Sequence, residues 1–144
     1  MTGYRPKKRV LILCTGNTCR SQMAEGFVNH LLGDAWSAFS AGTEPGERVH
    51  PLAVEVMREV GIDISGGRPE PVDQYIGQRW NLVVTVCDGA EASCPVFPGG
   101  NEQIHVGFPD PATAKGSREE RLAVFRKVRD AIAARLLPEV ERRT

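Results

Sequence analysis

Short apolar runs bounded by turn residues alternate along this chain with stretches whose apolar residues recur at helical spacing. That alternation limits its folds more than any other feature. Val10-Leu11-Ile12-Leu13 leads into Cys14 as an all-apolar run, the pattern of a strand buried on both faces. Arg20 to Leu32 follows with Met23, Phe27, Leu31 and Leu32 on one stripe, and Gly33 reads as the stop beyond its last turn. Trp36 to Ala41 is a weaker strand. Pro51 suits the first turn of a helix carrying Leu52, Val56, Met57 and Val60, which Gly61 ends. A short helix over Asp73 to Arg79 precedes Leu82-Val83-Val84-Thr85-Val86, the strongest strand signal in the chain. Ile104 to Phe108 is a further strand. Ser117-Arg118-Glu119-Glu120 is a capping box, opening a helix with Leu122, Phe125, Val128, Ile132 and Leu136 on one face.

Strands and helices in this order imply right-handed βαβ units, hence a parallel sheet covered by helices. Ligands of such sheets sit beyond the carboxyl ends of the strands. A chain of 144 residues is expected to form one domain, 1–144, with a core that needs no disulfides. The 18 Lys and Arg balance the 18 Asp and Glu, which argues against a nucleic-acid surface. Arg5, Lys7, Lys8 and Arg9 read as a solvated arm, and the apolar run behind them is too short for a signal sequence or a membrane span. The expected location is the reducing cytoplasm, without membrane association, where the four cysteines act as thiols, metal ligands or redox groups.

Cys14-Thr15-Gly16-Asn17-Thr18-Cys19-Arg20-Ser21 lies between the first strand and the first helix. Gly16 and Asn17 tolerate positive φ, so the backbone here can curl until successive N–H groups converge on one point. The helix N-terminus adds unpaired donors, and Arg20 adds a planar fork matching two oxygens of a tetrahedral oxyanion. The oxyanion-binding set is therefore Thr15, Gly16, Asn17, Thr18, Cys19 and Arg20. A helix N-terminus and a nearby cation favour a thiolate, the nucleophilic form of cysteine, and Ser21 can donate to the Cys14 sulfur. The competing reading is that Cys14 and Cys19 simply pack as small hydrophobes, and for Cys19 nothing in the loop argues otherwise.

This loop, continued by Gln22-Met23-Ala24-Glu25, resembles that of the low-molecular-weight phosphotyrosine phosphatase superfamily, and in particular its thioredoxin-coupled arsenate reductases. Ser40-Ala41-Gly42, Gly61-Ile62-Asp63-Ile64-Ser65, Leu82 to Cys87 and Gly107-Phe108-Pro109-Asp110-Pro111 extend the resemblance from about Val10 to about Val128. It implies a three-layer α/β fold with a central parallel four-stranded sheet and helices on both faces. It also implies arsenate as substrate, a thioredoxin as electron donor, no cofactor, and a monomer. By resemblance Cys14 attacks arsenate, Cys87 then attacks the adduct, and Cys94 takes over the disulfide for thioredoxin. Asp110 resembles the general acid of the superfamily, although an Asp before Pro is by itself a common turn former.

Other readings of the Cys87/Cys94 pair are a surface disulfide, spare thiols or zinc. The six-residue gap between them is wider than structural zinc usually uses, and Arg20 repels a cation, so no metal site is expected. Some of these reductases hold potassium. Asn17, Glu25 and Ser40 fit that arrangement, but Arg68 stands where a neutral ligand is expected, and its guanidinium could replace the ion. Ala112-Thr113-Ala114-Lys115-Gly116 lacks the aromatics with which the phosphatases clasp a tyrosine ring. The rival functions are a small phosphatase and a non-enzymatic oxyanion or metal sensor. His30, His50 and His105 read as surface or satisfied core groups, and Trp36 and Trp80 as packing.

Overall fold

The computed structural model describes residues 6–88 and 97–144. Its elements follow the alternation read above. They are β1 (Lys8–Cys14), α1 (Arg20–Leu31), β2 (Trp36–Gly42), α2 (Pro51–Glu59), a 3₁₀ segment (Val72–Tyr75), β3 (Leu82–Thr85), β4 (Gln103–His105), a 3₁₀ turn (Pro111–Thr113), α3 (Arg118–Arg135) and α4 (Leu137–Glu141). The four strands form one parallel sheet in the order β2-β1-β3-β4, so β1 is central and Cys14 ends a strand bonded on both sides.

Alternate strand residues divide the core. Val10, Ile12, Leu82 and Val84 join the buried faces of all four α-helices, including Met23, Phe27, Val56, Phe125 and Ile132. Leu11, Leu13 and Val83 face the other way, onto Tyr75, Trp80 and Phe97. Helix therefore covers both faces, but unequally among the described residues. The second face carries the 3₁₀ segment and an aromatic cluster in which Phe39, Tyr75 and Trp80 lie 5.5–6.1 Å apart.

The helix ends follow their chemistry. Ser117 accepts from the Glu120 backbone N–H at 3.1 Å, and the Ser117 N–H donates to the Glu120 carboxylate at 2.8 Å, completing the capping box. Gly61 has φ +80° just past α2, the left-handed stop expected of it. Gly33 does not: its φ is not positive, and it is required because a Cβ there would lie 2.3 Å from the Asn29 carbonyl oxygen. Three further expectations are corrected. Leu31 belongs to no buried stripe; it sits 56% exposed on the last turn of α1, while Ala24 and Val28 complete the packed face. The strand expected over Ile104 to Phe108 ends at His105, although Phe108 N–H still bonds to the Val86 carbonyl at 3.2 Å. The helix expected over Asp73 to Arg79 is only the 3₁₀ turn Val72–Tyr75. None of the described helices is long and apolar enough to cross a membrane.

Candidate active site

The segment from Cys14 to Ser21 curls between β1 and α1 at the carboxyl edge of the sheet. Its carbonyls turn outward. Those of Cys14, Thr15, Gly16 and Thr18 accept from the backbone N–H groups of Thr43 (3.3 Å), Glu44 (2.9 Å), Gly46 (2.9 Å) and His50 (2.9 Å). The Asn17 carbonyl accepts from Gln22 Nε2 at 3.1 Å. Among the described residues no backbone N–H from Thr15 to Cys19 donates a hydrogen bond, so these donors are left for the inside of the curl. The N-terminus of α1 has no side-chain cap and adds its own donors. Such a concave set of N–H groups at a helix start is an anion-binding nest.

Asn17 makes the bend. It is the one described non-glycine residue with positive φ, at 55°, while Gly16, also expected to be capable of it, is not in that region. The Asn17 side chain is fully buried; its amide donates to Ser21 Oγ at 2.7 Å and Ser40 Oγ at 3.0 Å and accepts from the Glu70 N–H at 2.9 Å. It thus reaches inward to hold the loop, leaving its backbone to face the curl. Ser21, accepting from Asn17, retains its own O–H to donate.

Cys14 is a buried free thiol at the mouth of this loop. Arg20, 7% exposed, lies across it: one terminal nitrogen donates to the Phe108 carbonyl at 3.1 Å and the other lies 3.8 Å from Asp110 Oδ2. Its Nε is buried with no partner. A buried donor without an acceptor is costly, so the Arg20 Nε–H is available to an acceptor brought to the loop. Asp110 Oδ1 caps the 3₁₀ turn by accepting from the Ala112 N–H at 3.0 Å, the turn role read for it, while Oδ2 lies 3.8 Å from the Arg20 guanidinium.

Cys87 lies two residues past β3, the strand paired to β1 with Leu13 opposite Thr85, so it shares the carboxyl edge with Cys14. It is buried and disulfide-bonded, and its partner lies outside the described residues, as does Cys94. Cys19 packs in the core, 2% exposed, and burial pushes its thiol up to about 12, which keeps it protonated. His50 caps α2 through Nδ1, accepting from the Leu52 N–H at 3.1 Å. Burial and then Arg121 lower its pKa, consistent with a neutral ring. His105 bonds to Thr85 Oγ1 at 2.7 Å, and His30 is exposed.

Glu25 is held by Ser40 Oγ at 2.5 Å, and burial raises its pKa. The expectation that the Arg68 guanidinium stands in for a cation beside it is corrected. Arg68 is exposed and contributes only its carbonyl, which accepts from Gln22 Nε2 at 3.1 Å. Among the described residues no three His, Cys, Asp or Glu side chains are grouped to hold a metal. Sequence reasoning missed Glu70 and the backbone of 43–50, which hold the loop through main-chain groups that no periodicity or motif marks. Phe108 lies in the Gly107–Pro111 stretch that carries the resemblance, but the role of its carbonyl is not legible there.

Fold and loop together define an α/β protein with a curled loop, begun by Cys14 and closed by Arg20, at the first strand–helix junction. The chain belongs to the low molecular weight phosphotyrosine protein phosphatase family, whose model matches residues 9–142. It is 51% identical over 130 residues to an arsenate reductase of Halalkalibacterium halodurans, covering 90% of this chain and 93% of that one. It is 48% identical over 129 residues to an arsenate reductase of Bacillus subtilis, covering 90% and 92%. Its structure is similar to that of an arsenate reductase in a phosphate-binding state, with a TM-score of 0.78 and 32% identity over 95% of this chain and 99% of the other.

Proposed function

We propose that the protein reduces arsenate to arsenite by a three-cysteine relay that thioredoxin recharges. The observation that carries this reading beyond a phosphatase is Cys87, two residues past the strand paired to β1 and so at the same sheet edge as Cys14. Hydrolysis of a phosphate ester needs one sulfur; a two-electron reduction needs two.

Arsenate binds to the N–H groups of the loop and to Arg20. The Cys14 thiolate attacks arsenic, and one oxygen, protonated by Asp110, leaves as water. Ser21 steadies the thiolate. The Cys87 thiolate then attacks Cys14 Sγ. A sulfur–sulfur bond forms, the sulfur–arsenic bond breaks, and its electron pair stays on arsenic, which leaves as arsenite. Cys94 attacks Cys87, freeing Cys14 and moving the disulfide to Cys87–Cys94 for exchange with the thioredoxin dithiol. A disulfide-bonded Cys87 with Cys14 as a free thiol is the pairing that the last step leaves. The arsenate reductases at about half identity support the substrate. No bound cofactor enters any step. A reducing cytoplasm suits all three thiols, and the chain works as a monomer.

The test is NADPH oxidation with thioredoxin and thioredoxin reductase, started by arsenate, on wild type and Cys87→Ser. Consumption that needs arsenate and disappears in Cys87→Ser is expected. Flat NADPH, with an aryl phosphate cleaved equally by both proteins, would make this a phosphatase.

A further inference from the structure

Tyr75 stands on the far side of the sheet from the α-helices, in the 3₁₀ segment, yet its hydroxyl reaches the oxyanion loop through one residue. The phenol donates to Glu70 Oε1 at 2.5 Å. The backbone of Glu70 grips the loop region twice: its N–H donates to Asn17 Oδ1 at 2.9 Å, and its carbonyl accepts from the Gly42 N–H at 2.8 Å. Gly42 and Pro71 also form an isolated parallel bridge, so residues 70–71 lie against the end of β2 as a short extra strand would.

Asn17 is the residue on which the curl turns, and its side-chain oxygen has the Glu70 N–H as its partner. A non-glycine residue at φ 55° is held there by its surroundings. The amide end of Asn17 is fixed from α1 and β2 through Ser21 and Ser40. The oxygen end depends on where residue 70 sits, and only the Tyr75 contact ties the Glu70 side chain down among the described residues. Tyr75 is itself rigid. Its ring packs against Trp80 and Phe39, and its carbonyl accepts from Trp80 Nε1 at 3.1 Å. Burial, then the Glu70 carboxylate, push the phenol up to about 12, so it remains a donor at any working pH.

We propose that Tyr75 is a positioning residue for the oxyanion loop: its phenol fixes Glu70, and the Glu70 main chain fixes Asn17 in the bend that aims the loop N–H groups. This rests on the reading of the loop as the oxyanion site. It makes no claim on the thiol relay.

The test measures binding of inorganic phosphate by calorimetry, and KM and kcat for arsenate in the thioredoxin-coupled assay, on wild type, Tyr75→Phe, Glu70→Gln and Glu70→Ala. Tyr75→Phe keeps the ring and its aromatic contacts, and removes one charge-assisted hydrogen bond. It is expected to weaken phosphate binding and raise KM by roughly three- to tenfold, with kcat changed less than twofold. Glu70→Gln keeps an acceptor for the phenol and should bind within about twofold of wild type, whereas Glu70→Ala should match Tyr75→Phe. Melting temperature reports folding for each variant; should Tyr75→Phe fail to fold, the Gln-against-Ala comparison at position 70 decides the matter. Wild-type affinity in both Tyr75→Phe and Glu70→Ala overturns the proposal while leaving the loop reading intact. Absence of phosphate binding in the wild type overturns the loop reading and the proposal with it.

Discussion

Gly42 closes β2 directly against the loop, and adding a single methyl group there separates loop shape from loop chemistry. A Cβ at position 42 would lie 2.4 Å from the Thr15 carbonyl oxygen, with Asn17 Cβ at 3.1 Å and Asn17 N at 3.2 Å. Ordinary contact begins at 3.4 Å, so in Gly42→Ala the Thr15 carbonyl must retreat by about 1 Å. That carbonyl is main chain and is already bonded to the Glu44 N–H, so the displacement passes into the curl. Overpacking of this kind costs about 1–3 kcal/mol, which for a chain of this size lowers Tm by roughly 2–12 °C. The effect on the site should be larger than on the fold, because a misplacement of about 1 Å can cost on the order of a hundredfold in a positioned site. Thermal melting followed by circular dichroism and phosphate titration by calorimetry read the two separately. Gly66→Ala, where an added Cβ meets nothing within 4 Å, serves as the neutral control. Phosphate affinity in Gly42→Ala equal to that of Gly66→Ala would refute the claim that the loop's shape is set by its contact with β2.

Two further outcomes follow from the charges. Arg20→Lys keeps the positive charge but loses the fork whose Nε is buried without a partner. Each charge-assisted hydrogen bond lost is worth about 1.5–3 kcal/mol, so phosphate affinity and kcat/KM for arsenate should fall roughly 10- to 100-fold; unchanged affinity would remove Arg20 from oxyanion binding. At the end of α2, hydrogen bonds from Arg126 and then Arg129 hold the Glu59 carboxyl down to about 2 from an ordinary 4.5. A depressed folded-state pKa contributes stability that is complete above the ordinary value and is lost as pH falls towards the folded one. Urea unfolding of wild type and Glu59→Gln should therefore differ at pH 7 and converge between about pH 4.5 and 2; a gap that persists at pH 2 would mean the pair is not the cause.

Local rules carried far in this chain, and their failures are instructive. The capping box at Ser117 and the glycine after α2 appear as read, because both are decided within one turn of backbone. Gly33 occupies the position of a stop for another reason, the approach of the Asn29 carbonyl, which spacing alone does not reveal. Leu31 lies on the apolar stripe of α1 by periodicity, but it is on the last turn and lies exposed there. Periodicity specifies a direction around a helix and is silent on where the neighbouring layer stops.

The sequence by itself determined the order of strands and helices, the parallel sheet that order requires, and the loop from Cys14 to Ser21 at its carboxyl edge. Those features depend on residues close together in the chain. Tertiary structure decided how the loop is held and what surrounds its sulfur. Residues 43–50 turn its carbonyls outward, Glu70 supports Asn17 from 53 positions away, and Arg20 is anchored on the Phe108 carbonyl 88 positions away. That Cys87 lies just past a strand at the same sheet edge as Cys14 follows from the parallel order of the elements; that this strand is the direct neighbour of β1 was decided by the sheet pairing. Several of these contacts run through backbone amides and carbonyls, which every residue possesses. A sequence pattern cannot distinguish them until the sheet order has brought the segments together.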